Sequence, residues 1–307
     1  MVLEFAVEFL RFLYRSAKRI AERFTLVRKL KASVSWGVFR HRIALAIEER
    51  NNSTFTGFLR LPTQFEALQG PVLDFVRERQ GANTIRIVVV GCSNGAEAYT
   101  IASIMKVYAP HAAFMIDAYD INSEFIEKAR TGRYAEEEVL NNKLLPVGFI
   151  QTTFRREGPD YCVREDILAC VRFDVADALS PDLDAQVGLC DVLFAQNFLF
   201  HLSRRDATRA FGNLCALLKP NAAIFVDGMD IGLRQKLTRN RGLVPLDYKI
   251  AEIHNEARRA RESGWPYRYW GLEPFMSVAR DWRRRYATIF VRGGEAVIGQ
   301  RFNQGTE

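Results

Sequence analysis

An α/β fold built on a mainly parallel sheet is predicted for this chain by three observations. Ile85, Ile87, Val88, Val89 and Val90 form an almost unbroken apolar run, the pattern of a strand covered on both faces. That run breaks into a turn of small residues, Gly91-Cys92-Ser93-Asn94-Gly95, and then into helical periodicity. Strand-like and helix-like stretches alternate from there on, and such alternation needs crossover connections and hence parallel strands.

The elements are read in order as follows. Leu3, Val7, Leu10, Leu13, Ala17, Ile20 and Phe24 recur at helical spacing, and Phe5, Phe9 and Phe12 widen their arc. Glu4, Glu8, Arg11, Arg15, Lys18 and Glu22 share the opposite stripe, so residues 1–24 read as an amphipathic helix. Two uses are open for it: packing on its own domain or a second copy, or peripheral contact with a membrane, which glutamates on the polar face disfavour. It opens a helical N-terminal segment placed at 1–75, ahead of a sheet domain at 76–307. Strands are expected at 84–91, 113–120, 171–175, 191–196 and 222–228. Helices are expected at 96–108, 122–131, 135–144 and 203–218. Phe154 to Arg164 reads as a hairpin around Gly158-Pro159, an insertion near 151–170. Tyr286 to Arg292 reads as an antiparallel closing strand. A long insertion, near 231–285, separates it from the fifth strand, with a helix-like run at 249–263 followed by Trp265, Tyr267, Tyr269 and Trp270. Those aromatics either wall a pocket or pin the insertion to the sheet.

Composition bounds the function. The chain has 307 residues, 48% of them hydrophobic and 26% charged, enough to bury a full core. With no apolar run near the roughly 18 residues of a membrane span and no signal-cleavage pattern, a cytoplasmic location is expected. Cys92, Cys162, Cys170, Cys190 and Cys215 are odd in number and lack ligand spacing, so they read as reduced, mostly buried thiols, and no metal site is expected. The net charge of +7 favours acidic partners. Arginines at 258–261 and 283–285 either follow a phosphate backbone or are solvated helix faces; no nucleic-acid module is recognisable, and no specific nucleic acid is expected.

The turn after the first strand is where an open α/β sheet binds its ligand. Gly91 and Gly95 are four apart and no third glycine follows, so the dinucleotide fingerprint is absent and a smaller, less anionic ligand fits better. Asp120 ends the second strand. An acid there is placed to accept both hydroxyls of a ribose, or else to cap the helix that begins near Asn122.

Five ordered segments carry a resemblance: Thr56-Gly-Phe-Leu-Arg60, Gly91 to Thr100, Ala118 to Tyr134, Val171 to Asp177, and Cys190 to His201. Together they resemble the chemotaxis-receptor methyltransferases, the CheR-type family, over about residues 54 to 229. The resemblance implies a Rossmann-like class I methyltransferase sheet and S-adenosylmethionine as cofactor, leaving S-adenosylhomocysteine as product. It also implies site roles. Glu97 and the Gly91, Cys92, Ser93, Gly95 turn hold the amino-acid end. Asp120 with Ile121 takes the ribose, and Asp177 with Ala178 the adenine edge. Asn197 and Phe198 line the site beside the sulfonium, with Thr56 and Arg60 reaching in from the N-terminal side. By the same resemblance the hairpin would contact a substrate protein, the alternative being an ordinary connection between elements. Departures are equally specific: Ala96 and Ala98 replace Glu and Pro, Gln196 replaces an Arg, His201 replaces a Tyr, and Gly228-Met-Asp230 stands for His-Ser-Glu.

The implied chemistry is methyl transfer from a sulfonium. A carboxylate acceptor is already ionised at neutral pH, so positioning and desolvation carry the rate. A protein glutamate is the simplest acceptor; a small molecule, a lipid, or non-catalytic binding of the cofactor are the alternatives. Arg60 is expected to orient a carboxylate through its forked guanidinium, and His201 is the first candidate base for a hydroxyl acceptor.

Overall fold

A computed structural model describes residues 56–80, 84–140, 145–262 and 273–293. The amphipathic stretch at 1–24 and the aromatics Trp265, Tyr267, Tyr269 and Trp270 lie outside the described residues. An arm at 56–61 leads into helix α1 (Pro62–Ala67), a π-helical turn, and α2 (Leu73–Gln80). The turn is kinked at Gly70, immediately before Pro71, whose missing N–H and ring block a regular helix.

Ten strands follow among the described residues: β1 (Ile85–Val90), β2 (Phe114–Asp120), β3 (Arg133–Tyr134), β4 (Phe154–Glu157), β5 (Asp160–Val163), β6 (Val171–Val175), β7 (Cys190–Gln196), β8 (Leu218–Asp227), β9 (Val244–Pro245) and β10 (Ile289–Val291). The main sheet has the order β6-β2-β1-β7-β8-β10-β9. β6, β2, β1, β7 and β8 run parallel, and β10 lies antiparallel to both β8 and β9. A small second sheet, β3-β5-β4, contains the expected hairpin. The expected strands and the antiparallel closing strand are all present; β8 starts four residues before the expected 222.

Helices fill the crossovers: α3 (Ala96–Tyr108), α4 (Ser123–Thr131), α5 (Glu136–Leu140), α6 (Val147–Thr153), α7 (Glu165–Leu168), α8 (Leu183–Val187) and α9 (Arg204–Ala216). Each has a local cause where its ends are capped by side chains. Asn122 Oδ1 accepts the Glu124 and Phe125 N–H groups at the start of α4, and Ser203 Oγ accepts the Asp206 N–H at the start of α9. The expected helix at 135–144 is described only to Leu140, and α6, which periodicity did not announce, brings Thr153 into a buried hydrogen bond with Ser103. In the expected insertion, α10 (Ile231–Asn240) precedes β9, and α11 (Ile250–Glu262) and α12 (Trp282–Tyr286) precede β10. β9 pairs with β10 and extends the main sheet, so the described part of this stretch contributes to the edge of the fold.

Alternation along the strands divides the core between the two faces of the sheet. Ile87, Val89, Val192, Phe194, Ala223 and Phe225 enter one cluster, while Val88, Val90, Leu193, Ala195, Ile224 and Val226 enter the other. Phe194 and Phe225 stack at 4.2 Å between centroids. Phe58, Phe65, Leu68 and Val72 join the first cluster, so the described part of the N-terminal segment shares the core of the sheet. The charges that interrupt the strands are paired: Asp117 is buried between Arg86 and Arg172, each at 2.8 Å.

Past the parallel strands the chain must turn in little space. Gly228 has φ +67, and a Cβ there would lie 2.6 Å from Asn197 Cα. Gly158 in the hairpin has φ +62 but open space around it. Gly228→Ala is therefore expected to cost about 2–4 kcal/mol in urea unfolding, against about 1 kcal/mol for Gly158→Ala. Equal losses would mean that the approach to Asn197 carries no cost.

Candidate functional site

The strand order reverses between β1 and β7, and a cleft enclosing about 870 Å³, its open mouth included, lies at the carboxyl ends of β1, β2, β6 and β7. From the first strand come Val90, Gly91 and Ser93. Gly91 has φ +77, and a Cβ would meet the Phe198 ring at 2.7 Å, so the turn and the Phe198 side chain fit only because this residue is glycine. Ser93, at φ +50, donates its N–H to Asp120 Oδ2 at 2.8 Å. Asp120 Oδ1 accepts the Asn122 N–H at 3.0 Å, and Asn122 caps α4, which excludes Asp120 from the capping role. Burial pushes the Asp120 carboxyl up, opposed by these backbone donors. Ile121 and Phe125 complete that wall.

Ala176, Asp177 and Ala178 follow β6, with Asp177 Oδ1 accepting the Leu179 N–H at 2.8 Å. Gln196, Asn197 and Phe198 follow along β7, and His201 and Leu202 close the rim. Asn197 has φ +57, and its N–H reaches the Asp227 carbonyl at 3.1 Å. Thr56 and Arg60 enter from the arm. Glu97 stands in the first turn of α3; burial pushes its carboxyl up to about 7, and the Arg60 guanidinium pulls against that shift.

Twelve of the fourteen expected site residues therefore gather at one cleft, and Cys92 and Gly95 do not line it. The Cys92 side chain is buried, and burial with the Asp120 and Glu97 carboxylates holds its thiol well above the ordinary range, which opposes reactivity. At Gly95 a Cβ would meet Ala129 and Phe173 at 2.9 and 3.0 Å, so this glycine serves the packing of α3 on the core. Val90, Phe125, Ala176, Gln196 and Leu202 line the cleft without having been singled out for it; each neighbours a strand end or a named site residue.

The arrangement suits a ligand with positive charge and hydroxyl groups. Glu97, Asp120 and Asp177 surround the cleft, against Arg60 and His201. Ser93 Oγ and Asn197 Nδ2 are buried with no hydrogen-bond partner, one on each side of the strand-order reversal. Orphaned polar atoms of this kind carry a desolvation cost that a bound polar ligand relieves.

Residues 54–238, well over half of the chain, match the family described as CheR methyltransferase, SAM binding domain. The chain belongs to this family. The cofactor of the domain is S-adenosylmethionine, and the acid-rimmed cleft with its two unpartnered polar atoms fits that cation. Among curated relatives, the chain is 27% identical over 207 residues to a probable biofilm formation methyltransferase, WspC, of Pseudomonas aeruginosa, covering 67% of this chain and 48% of that one. It is 29% identical to chemotaxis protein methyltransferase 2 of Vibrio cholerae, over 56% of this chain and 60% of that protein. To the chemotaxis protein methyltransferase of Escherichia coli it is 27% identical, over 65% and 72%. The chain thus spans about half the length of the Pseudomonas relative. No helix of the described residues is long and apolar enough to cross a membrane.

Glu97 also makes a stability prediction with a definite sign. A carboxyl whose folded-state value lies near 7, above its ordinary 4.5, binds more protons folded than unfolded. Its stabilising contribution is full below the unfolded value and is lost as pH rises through about 7. The ligand-free protein is expected to lose melting temperature between these limits, and Glu97→Gln to flatten that slope. Parallel profiles for the two proteins would remove the assignment.

Proposed function

We propose that this chain transfers the methyl group of S-adenosylmethionine to a carboxylate oxygen, with the glutamate side chain of a partner protein as acceptor. The observation that carries the reading is the convergence of Glu97, Asp120, Asp177 and the unpartnered Asn197 amide on one cleft with Arg60 at its side. When bound there, the cofactor supplies an electrophilic methyl group on a sulfonium.

The residues of the chain do the rest. Asp120 accepts the ribose hydroxyls while its carboxylate stays tied to the Ser93 and Asn122 N–H groups, so the acceptor is held before the ligand arrives. Asp177 and Ala178 receive the adenine edge. Glu97 receives the ammonium of the amino-acid end, and ionised Glu97 suits that cation better than the neutral acid. Phe198 and Ile121 keep water from the site. Arg60 pairs with the incoming carboxylate, which is already ionised and needs no base. The relatives named for chemotaxis methyl transfer support a protein as acceptor. Contact of the segment 1–24 with a membrane belongs to the same proposal, as the route by which the enzyme would meet a membrane-bound acceptor.

The test is transfer of labelled methyl to protein in a lysate, followed by mild base. Label released as methanol supports a carboxyl ester, whereas base-stable label in an organic extract would shift the role of His201 to that of a base acting on a hydroxyl acceptor. Asp120→Ala is expected to weaken S-adenosylhomocysteine binding by about 1.5–3 kcal/mol in calorimetry. Arg60→Ala is expected to keep that affinity at about pH 9, where Glu97 is ionised in either protein, and to abolish turnover. Unchanged affinity in the first variant, or unchanged turnover in the second, would remove the corresponding role.

A further inference from the structure

Helix α11 lies beyond residue 238, where the family match ends, yet it reaches back to the arm that carries Arg60. Glu256, on α11, accepts the Thr63 hydroxyl proton at Oε1 over 2.7 Å and the Thr63 N–H at Oε2 over 3.2 Å. Thr63 is the second residue of α1, so the carboxylate satisfies a free N–H and sits at the positive end of the helix. Thr63 is buried, which shields these bonds from competing water. Lys249, one residue before α11, pairs with Glu66 at 2.7 Å, but both side chains are nearly half exposed and the pair adds little.

The other side of Arg60 is anchored differently. Phe58 packs edge-on against Tyr134 and Phe154, each at 4.9 Å, and Leu59, at φ +45, donates its N–H to Thr100 Oγ1 at 3.2 Å. Arg60 is thus the midpoint of a short span. One end is fixed in the sheet domain and the other is fixed by α11.

We propose that Glu256 is a positioning residue: its two hydrogen bonds to Thr63 set the first turn of α1 and so hold the Arg60 guanidinium at the cleft wall. The inference rests on the reading of the cleft as the S-adenosylmethionine site. It makes α11, an element outside the family match, part of what orients the acceptor-side arginine. Anything that displaces α11 therefore acts on the site through a single helix turn.

The guanidinium is felt by Glu97, and that provides a readout that general destabilisation does not move. The titratable groups that share the cleft with Glu97 are Arg60, Asp120, Asp177 and His201, with the buried Cys92 thiol close to both Glu97 and Asp120. If Arg60 withdraws, Glu97 loses the guanidinium that opposes its burial among the described residues and ionises at higher pH. Calorimetric titration with S-adenosylhomocysteine from about pH 5.5 to 9 reports this midpoint. The wild-type protein should show it near about 7. Glu256→Ala and Thr63→Val should raise it by about half a pH unit, which is about twofold weaker binding at pH 7 and about threefold near pH 5.5. Thr63→Val preserves volume and keeps the test open if Glu256→Ala does not fold, and Thr63→Ser should restore the wild-type midpoint. In an Arg60→Ala background neither substitution should add a further shift. Midpoints unmoved in a folded Thr63→Val protein, or the full shift persisting without Arg60, would overturn the proposal while leaving the cofactor reading intact. Absence of wild-type binding at every pH would remove both.

Discussion

Close backbone approach at the carboxyl edge of the sheet is the constraint on which the site depends. Two glycines permit it: Gly91 lets the turn after β1 lie against the Phe198 ring, and Gly228 lets the chain leaving β8 pass over Asn197. Neither position has room for a Cβ, and both have positive φ, so sterics and backbone preference select the same residue. The ends of three adjacent strands can then converge on one volume. Ser93 and Asn197, non-glycine residues in the left-handed region, sit beside these glycines and carry the unpartnered polar atoms. Backbone strain and unsatisfied hydrogen bonding thus fall at the same place, as expected where a site is shaped for a ligand.

Electrostatics at this edge follow from burial. At Asp120 backbone N–H groups from the turns after β1 and β2 oppose the upward push of burial, whereas at Glu97 the pull against burial comes from Arg60. The two acids therefore line one cavity with different partners opposing the same burial cost. Elsewhere in the sheet, buried Asp117 and Asp191 are neutralised by Arg86, Arg172 and Lys219, and these pairs belong to the strands and not to the site.

The departure at Gln196 is explained by its surroundings. Its Nε2 donates to Gln64 Oε1 at 2.7 Å, and Gln64 Nε2 donates to Thr288 Oγ1 at 2.7 Å, linking β7 to α1 and to the residue before β10. All three side chains are buried, so a neutral amide fits where an arginine would bring an unmatched charge. At the residue 228–230 departure, the glycine is required by Asn197, and Asp230 caps α10 by accepting the Leu233 N–H at 2.7 Å. Downstream, Arg234 is buried against Asp227 at 3.1 Å, so a charge pair holds the end of β8.

Period-two and period-3.6 patterning, a glycine turn and strand-end acids are local signals. The parallel sheet, the hairpin, the closing strand and most of the residues that gather at the cleft could therefore be read from the chain's own patterning. Asp120 and the turn from Gly91 were legible because a strand end and its following turn are adjacent in the chain. The remaining features depend on contacts between residues far apart in sequence. Gly95 faces the core because Phe173 packs there, and Cys92 turns away from the cleft because its side chain is small enough to be buried. β9 joins the sheet only because β10 offers it an edge, and Glu256 meets Thr63 across 193 residues. No periodicity records such meetings, since they depend on how helices and strands stack once the sheet has formed.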